Sequence, residues 1–263
     1  MKKVAVLSGG SSGIGRETAK ALVKKGYTVY ELSRSGQSEN GIIHIDCDVT
    51  KEESVRDAAG KVLTAEPNIH LLVNNAGMGI SGAIEFTKES DCRRQLDVNF
   101  HGMDRLTKAF LPAMREQGFG RIVNISSVAA VMAIPFQVYY SASKAAINMY
   151  TQALANEIRP YGITVCAVMP GDTKTGFTSA RQKEMDGDEV YGGRISRSVN
   201  VMEKDEQSGD SAEKAGSFIA KIAEKKSHKP LYIIGFKYKL FYFLFRLLPS
   251  SLSNYILYLL YAK

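Results

Sequence analysis

Tyr140 and Lys144 stand four residues apart, a spacing that puts both side chains on one helix face, one turn from each other. An ammonium in that place favours the ionised form of the phenol. Free tyrosine titrates near pH ~10, and each unit of depression needs roughly 1.4 kcal/mol of preferential stabilisation of the phenolate. A phenol so tuned exchanges a proton with an alcohol or a ketone near neutral pH. Tyr-x-x-x-Lys is common on helices by chance, so the pair draws its meaning from its companions. Ser127 and Asn99, both able to hydrogen-bond, lie upstream of it.

The elements that must hold these groups are legible. Lys3-Val-Ala-Val-Leu-Ser8 reads as a strand, and Gly9-Gly-Ser-Ser-Gly13-Ile-Gly15 follows at once. Next comes a helical stretch with Ile14, Thr18, Ala21 and Leu22 on one side. Strand, glycine-rich turn and helix N-terminus make a pyrophosphate cradle: the backbone approaches closely, and N–H donors meet the anion. The spacing is Gly-x-x-x-Gly-x-Gly, which departs from the usual Gly-x-Gly-x-x-Gly fingerprint. Further strand candidates at 28–32, 42–46, 69–73, 121–126, 163–168 and 231–234 alternate with helical stretches. Several are unbroken apolar runs, as strands covered on both faces require. The pattern predicts one doubly wound α/β domain with a parallel sheet.

This ordered set resembles the short-chain dehydrogenases/reductases. Ser8 stands where that family usually has threonine before its glycine turn. Asp48-Val49, Asn74-Asn-Ala-Gly77, Asn99, Ser127, Tyr140, Lys144, Pro170-Gly171 and Thr175 then follow in family order. The resemblance covers residues 1 to about 235. It implies a Rossmann-type three-layer sandwich with seven parallel strands. It also implies a catalytic set of Asn99, Ser127, Tyr140 and Lys144. The family spacing of thirteen residues selects Ser127 over Ser126 and Tyr140 over Tyr139. In these roles Ser127 polarises a carbonyl, Tyr140 gives or takes the proton, and Lys144 holds the nicotinamide ribose. Asn99 anchors a water leading to Lys144. A plainer reading makes Ser127 a turn cap, Asn99 the satisfier of a helix kink, and Asn74 and Asn75 turn residues.

The expected cofactor contacts are Gly9, Ser11, Ser12, Gly13, Ile14 and Gly15 in the turn, with Asn75, Ala76 and Gly77 beside it. Asp48 and Val49 would meet the adenine, and Tyr140, Lys144, Pro170, Gly171, Thr173 and Thr175 the nicotinamide half. At the end of the second strand Ser33 occupies the position of an NAD-selecting acid, and Arg34 follows. A guanidinium suits a 2′-phosphate, so the expected cofactor is NADP(H). Glu31 modifies that reading if it faces the pocket.

Composition bounds the rest. The net charge of +7 resides in residues 221–263, which hold eight basic side chains and the single acid Glu224. The remaining chain is neutral, so no nucleic-acid surface is expected. Cys47, Cys92 and Cys166 are scattered without metal-ligand spacing, and no metal is expected. A strand beginning at residue 3 leaves no room for a signal peptide, which points to the cytoplasm. Residues 173–209 are polar and glycine-containing, as in a mobile lid over the substrate. Arg194 and Arg197 within it read as solvated helix charges or as contacts for an anionic group.

Residues 236–263 form a hydrophobic, basic extension without an acid, split by Pro249 into segments too short to span a bilayer. It reads either as a helical hairpin lying peripherally in a membrane interface, or as a segment that folds onto the sheet or a partner subunit and completes the pocket. Similar extensions in the family accompany steroid, retinoid and lipid substrates. The expected activity is therefore interconversion of a secondary alcohol and a ketone on a lipophilic, hydroxysteroid- or lipid-like substrate. The alternatives are a 3-oxoacyl thioester reductase and a nucleotide-sensing binding protein. The resemblance further implies a homodimer or homotetramer paired through helices near 91–116 and 139–157.

Overall fold

The computed structural model describes residues 2–225 and 229–263, so Lys226, one of the basic excess, lies outside the described residues. In chain order the principal elements are β1 (Lys3–Ser8), α1 (Gly13–Lys24), β2 (Tyr27–Ser33), β3 (Ile42–Asp46), α2 (Glu52–Ala65) and β4 (Leu71–Asn74). They continue with α3 (Glu89–Leu96), α4 (Gly102–Gln117), β5 (Gly120–Ile125), α5 (Val138–Glu157) and β6 (Ile163–Met169). The chain closes with α6 (Arg194–Gln207), α7 (Ala212–Ala223), β7 (Leu231–Ile233), α8 (Phe236–Leu247) and α9 (Ser250–Tyr261).

Seven strands pair in parallel in the order β7-β6-β5-β4-β1-β2-β3. The chain reverses direction of growth between β1 and β4, and this switch opens a crevice at the carboxyl ends of the two strands. The unbroken apolar runs have a direct cause. In β1, Val4 and Val6 point to a core shared with Val62, Leu106 and Phe110, whereas Ala5 and Leu7 point to a core shared with Leu22 and Ile219. Each buried Val or Leu contributes about 1.5–3 kcal/mol relative to exposure. Both faces of the sheet therefore demand apolar residues, and alternation disappears.

Three local departures from the sequence reading bear on the site. β4 starts at Leu71 and not at residue 69, because the Ile69 N–H is taken by Gln117 Oε1 at 3.0 Å. A π turn, Asp97–His101, interrupts the α3–α4 helical stretch and contains Asn99. The segment expected as a lid carries short elements and tertiary contacts. Gln182–Lys183 pairs with Ile80–Ser81, and Asp188 caps α6 by accepting N–H groups of Ile195 and Ser196 at 2.9 and 3.0 Å.

The C-terminal extension folds into two helices broken at Pro249. Tyr238, Tyr242, Phe245 and Tyr261 pack with Val128, Met132, Met169, Ile233 and Leu257 in a third apolar cluster. No helix among the described residues is long and apolar enough to cross a membrane.

Candidate active site

The glycine turn sits at the topological switch. Ser8 Oγ accepts the N–H groups of Asn75 and Ala76, each at 3.1 Å, and Asn75 Nδ2 donates to the carbonyls of Ser8 and Gly9 at 3.1 and 2.9 Å. The loop after β4 is thereby clamped to the loop after β1. Gly9 takes φ +68, and a Cβ on Gly15 would lie 2.1 Å from the Gly9 carbonyl oxygen. Only glycine fits this close approach. Ser12 is the N-cap of α1, yet its side chain makes no capping bond and remains available to an anion over the helix N-terminus.

Asn74, expected as a turn residue or a cofactor neighbour, faces inward instead. Its Nδ2 donates to Thr107 Oγ1 and Asn124 Oδ1 at 3.1 and 2.9 Å, tying the sheet to α4.

At the other end, the extended β5 strand delivers Ser126 and Ser127 to the mouth of the crevice. Ser126 Oγ donates to the Lys144 carbonyl at 3.0 Å and is spent on anchoring α5. Ser127 accepts the Ala129 N–H at 3.1 Å, capping a short turn, and its hydroxyl acts on the Tyr140 phenol against the effect of burial. Ser127 thus caps a turn and also lines the cavity. Lys144 Nζ donates to the Ile125 carbonyl at 2.9 Å and lies 5.8 Å from the centre of the Tyr140 ring.

The electrostatics of this pair differ from the sequence expectation. Burial pushes the Tyr140 phenol above its ordinary value, against the opposing Ser127 hydrogen bond and Arg181 charge, with Glu206 adding to the rise. Burial also pushes Lys144 down to about 8. Each group loses solvent, so each resists ionisation, and the cation one turn away does not reverse the sign for the phenol. Burial therefore acts on the Tyr140 phenol in the sense opposite to that expected from a neighbouring ammonium.

Asn99 is fully enclosed. Its Oδ1 accepts the Met78 N–H at 2.8 Å, while its Nδ2 donates to the Met78 carbonyl and to Ser143 Oγ, each at 3.0 Å. It joins the loop after β4 to α5, and its side chain makes no bond to the π turn's own backbone. It does not line the cavity.

One cavity of about 1100 Å³ runs from the β2 end past the glycine turn to Tyr140. Gly9, Ser11, Ser12, Ile14, Gly15, Ser33, Arg34, Asp48 and Val49 line it, as do Asn75, Ala76 and Gly77. Ser127, Tyr140, Lys144, Pro170, Gly171, Thr173 and Thr175 line the far half. Gly13 lies just behind this wall, 3.5 Å from Thr175 as measured from an added Cβ. The length, the glycine cradle and the unspent Ser12 hydroxyl fit a dinucleotide. Glu31 does not face the cavity: its carboxylate accepts the Gly10 N–H at 2.8 Å, bonds Ser33 Oγ at 3.1 Å and meets His44 Nδ1 at 2.6 Å.

Residues 3–186 match the family described as short chain dehydrogenase. The chain belongs to the short-chain dehydrogenase family. A 3-ketodihydrosphingosine reductase from Bacteroides thetaiotaomicron is 41% identical over 228 residues, covering 86% of this chain and 85% of that protein. The mouse (Mus musculus) estradiol 17-beta-dehydrogenase 2 is 32% identical, covering 68% of this chain and 50% of its own. Among solved structures, a short-chain dehydrogenase from Streptomyces avermitilis superposes with a TM-score of 0.86 at 29% identity, covering 97% of this chain and 94% of that one. ElxO with NADP bound gives 0.75 at 27% identity, covering 91% and 100%.

Several residues of this dehydrogenase's substrate end escaped the sequence reading. The Phe177 ring lies 5.9 Å from that of Tyr140, and the Arg181 guanidinium stands 5.7 Å over Phe177. Arg181 is buried and pairs with Glu206, which also accepts from Thr178 Oγ1 at 2.6 Å. Met202 and Tyr261 close the wall. No motif announces these residues, because three segments distant in sequence supply them. Conversely, Arg194 and Arg197 donate to the carbonyls of Tyr191 and Gly192 at 3.0 Å, and neither lines the cavity.

Proposed function

We propose that this chain is an NADP(H)-dependent reductase that converts a ketone on a long-chain lipid to a secondary alcohol, with a 3-ketosphingoid base as the leading substrate. The single observation that carries the chemistry is the convergence of Ser127, Tyr140 and Lys144 on the inner end of a cavity whose outer end is a glycine cradle.

A bound nicotinamide dinucleotide supplies the hydride. Ser127 orients the substrate oxygen through its own hydroxyl, and Tyr140 Oη releases its proton to that oxygen. Lys144 holds the ribose, and Asn99 keeps the loop carrying Gly77 against α5 so that this grip stays in register. Preference for NADP(H) rests on Arg34 and Ser33 at the outer rim and on the withdrawal of Glu31 behind the Gly10 N–H.

The lipid character follows from the inner wall, where Val128, Ile134, Phe177, Met202 and Tyr261 present apolar surface. The 41%-identical relative is named for reduction of such a ketone. We also propose pairing of copies through the α3–α4 and α5 helices, where Met149 is exposed. Light scattering tests this, a monomer at all concentrations being the contrary result.

The deciding experiment follows NADPH oxidation with 3-ketodihydrosphingosine, a steroid ketone and a 3-oxoacyl thioester side by side. The sphingoid ketone is expected to give the highest kcat/KM. A higher value with the thioester or the steroid overturns the substrate assignment, and faster turnover with NADH overturns the cofactor assignment.

A further inference from the structure

A surface helix normally shows one apolar stripe and one polar face. α8 and α9 depart from this rule. Their inner residues, Tyr238, Tyr242, Phe245 and Leu257, already fill the third apolar cluster. Their outer residues are apolar again: Phe236 is 81% exposed, Leu247 67% and Phe243 59%, with Leu240, Leu244 and Leu260 beside them. More than half of the exposed large apolar side chains among the described residues fall within 236–263. A contiguous patch of this kind marks a docking surface.

The charges around the patch indicate what docks. Residues 236–263 contain Lys237, Lys239, Arg246 and Lys263 and no carboxylate. Lys237 Nζ lies 5.5 Å from the centre of the Tyr238 ring, and the Arg246 guanidinium 5.7 Å from that of Tyr242. Aliphatic stems on aromatic faces with cationic tips outward suit an interface between hydrocarbon and charged headgroups. At the foot of α8 a second cavity of about 460 Å³ is lined by Lys221, Lys225, Lys229 and Lys239. Its floor is apolar and includes Phe218, Leu231 and Tyr242. Among the described residues no carboxylate lines it or pairs with these four lysines. Lys239 shares its helix face with Phe236 and Phe243, three residues before and four after it, so cavity and patch adjoin.

We propose that this cavity and the outer faces of α8 and α9 together form a docking site for an anionic phospholipid surface. The lysines take the phosphate headgroup, and the exposed aromatic and leucine side chains enter the acyl boundary. The same helices reach the substrate end from their inner side. Tyr238 Oη donates to Asp172, Asp172 N–H donates back to Tyr238 Oη at 3.1 Å, and Tyr261 Oη donates to Asp205 at 3.3 Å. The docked face is thus the outer side of helices whose inner residues reach the main cavity, where Asp172 and Tyr261 line it. The inference is independent of the reaction proposed above.

Sedimentation of the full chain with vesicles tests it. Vesicles containing about a third phosphatidylglycerol are expected to carry the protein into the pellet, and pure phosphatidylcholine vesicles to leave most of it behind. Replacing Lys221, Lys225, Lys229 and Lys239 together with Gln is expected to weaken binding by about fivefold per lysine. Phe243→Ser with Leu247→Ser is expected to abolish pelleting at moderate salt. Both variants are read only after circular dichroism shows an unchanged spectrum and melt, a control that needs no turnover. Equal recovery of the wild type in the supernatant with and without anionic vesicles overturns the proposal. A concentration-dependent oligomer that Phe243→Ser breaks, with no vesicle binding, makes a second copy the occupant and overturns it too. Soluble glycerol phosphate that saturates the cavity without displacing vesicles overturns the headgroup assignment.

Discussion

The two ends of the main cavity are built on different plans. The outer end is local: β1, a glycine turn and the start of α1 supply the cradle within thirteen residues, Lys3 to Gly15, and one clamp from Ser8 to the Asn75 loop completes it. The inner end is assembled from afar: β5 brings Ser127, α5 brings Tyr140 and Lys144, the segment after β6 brings Phe177, α6 brings Glu206 and α9 brings Tyr261. A cradle for a common cofactor is held by backbone geometry, which few residues dictate. A pocket for a particular substrate is held by side chains on elements that must first pack, so small changes in packing alter what it accepts.

The largest expected effect breaks the inner end. Tyr140→Phe removes the proton donor and is expected to lower kcat by about 10²–10⁴-fold while NADPH binding persists, as read by nucleotide fluorescence. Unchanged turnover removes the phenol from its role.

Arg181→Met sharpens the contrast by leaving Glu206 unpaired under the lid. Removing one partner of a buried pair costs about 3–5 kcal/mol. Glu206 is partly exposed, so the lower end or less is expected here. Adding Glu206→Gln should restore most of the lost melting temperature; no restoration in the double variant means that the pair is not coupled.

At the outer end Arg34→Leu is expected to raise the KM for NADPH about tenfold, a loss typical of one charge-assisted phosphate contact, and to leave NADH kinetics unchanged. Equal effects on both nucleotides contradict a 2′-phosphate contact.

The smallest effect is in pH. Lys144 titrates at about 8 in the folded chain against an ordinary 10.5, so it is charged below that pH and loses its proton above it. The KM for NADPH is expected to rise as pH passes through about 8, and Lys144→Arg should abolish that alkaline limb. The unfolded chain holds this proton more tightly, so this group makes stability rise with pH between about 8 and 10.5. A flat KM profile through that interval excludes the charge from nucleotide binding.

Much of this was legible in advance for identifiable reasons. The strands showed as apolar runs because both sheet faces are covered, and the cradle showed because glycines at a strand end have few other uses. Of the two neighbouring serines, Ser126 is committed to the Lys144 carbonyl, while Ser127, the one the family spacing selects, lines the cavity. The composition of residues 173–209 gave no sign of their tertiary contacts: Asp188 caps α6, and a two-residue ladder joins Gln182–Lys183 to Ile80–Ser81. Those contacts join residues far apart in sequence and have no local signature. Arg194 and Arg197 attracted attention as free charges, but they are consumed by their own turn, whereas the buried Arg181 passed unnoticed.

The amino-acid order alone determined the seven-stranded parallel architecture, the glycine cradle and the Tyr140–Lys144 pair, because each depends on periodicity or on spacing within a single helix or turn, whereas Ser127 joined the pair only through the family resemblance. Only the tertiary structure decided that burial outweighs the neighbouring cation at Tyr140, since desolvation is a property of everything packed around a group. It likewise decided the two-sided nature of the tail. Hydrophobicity could announce that those helices seek apolar surroundings, but which face the protein itself covers, and which is left bare, follows from how they dock on β7 and the turn after β5.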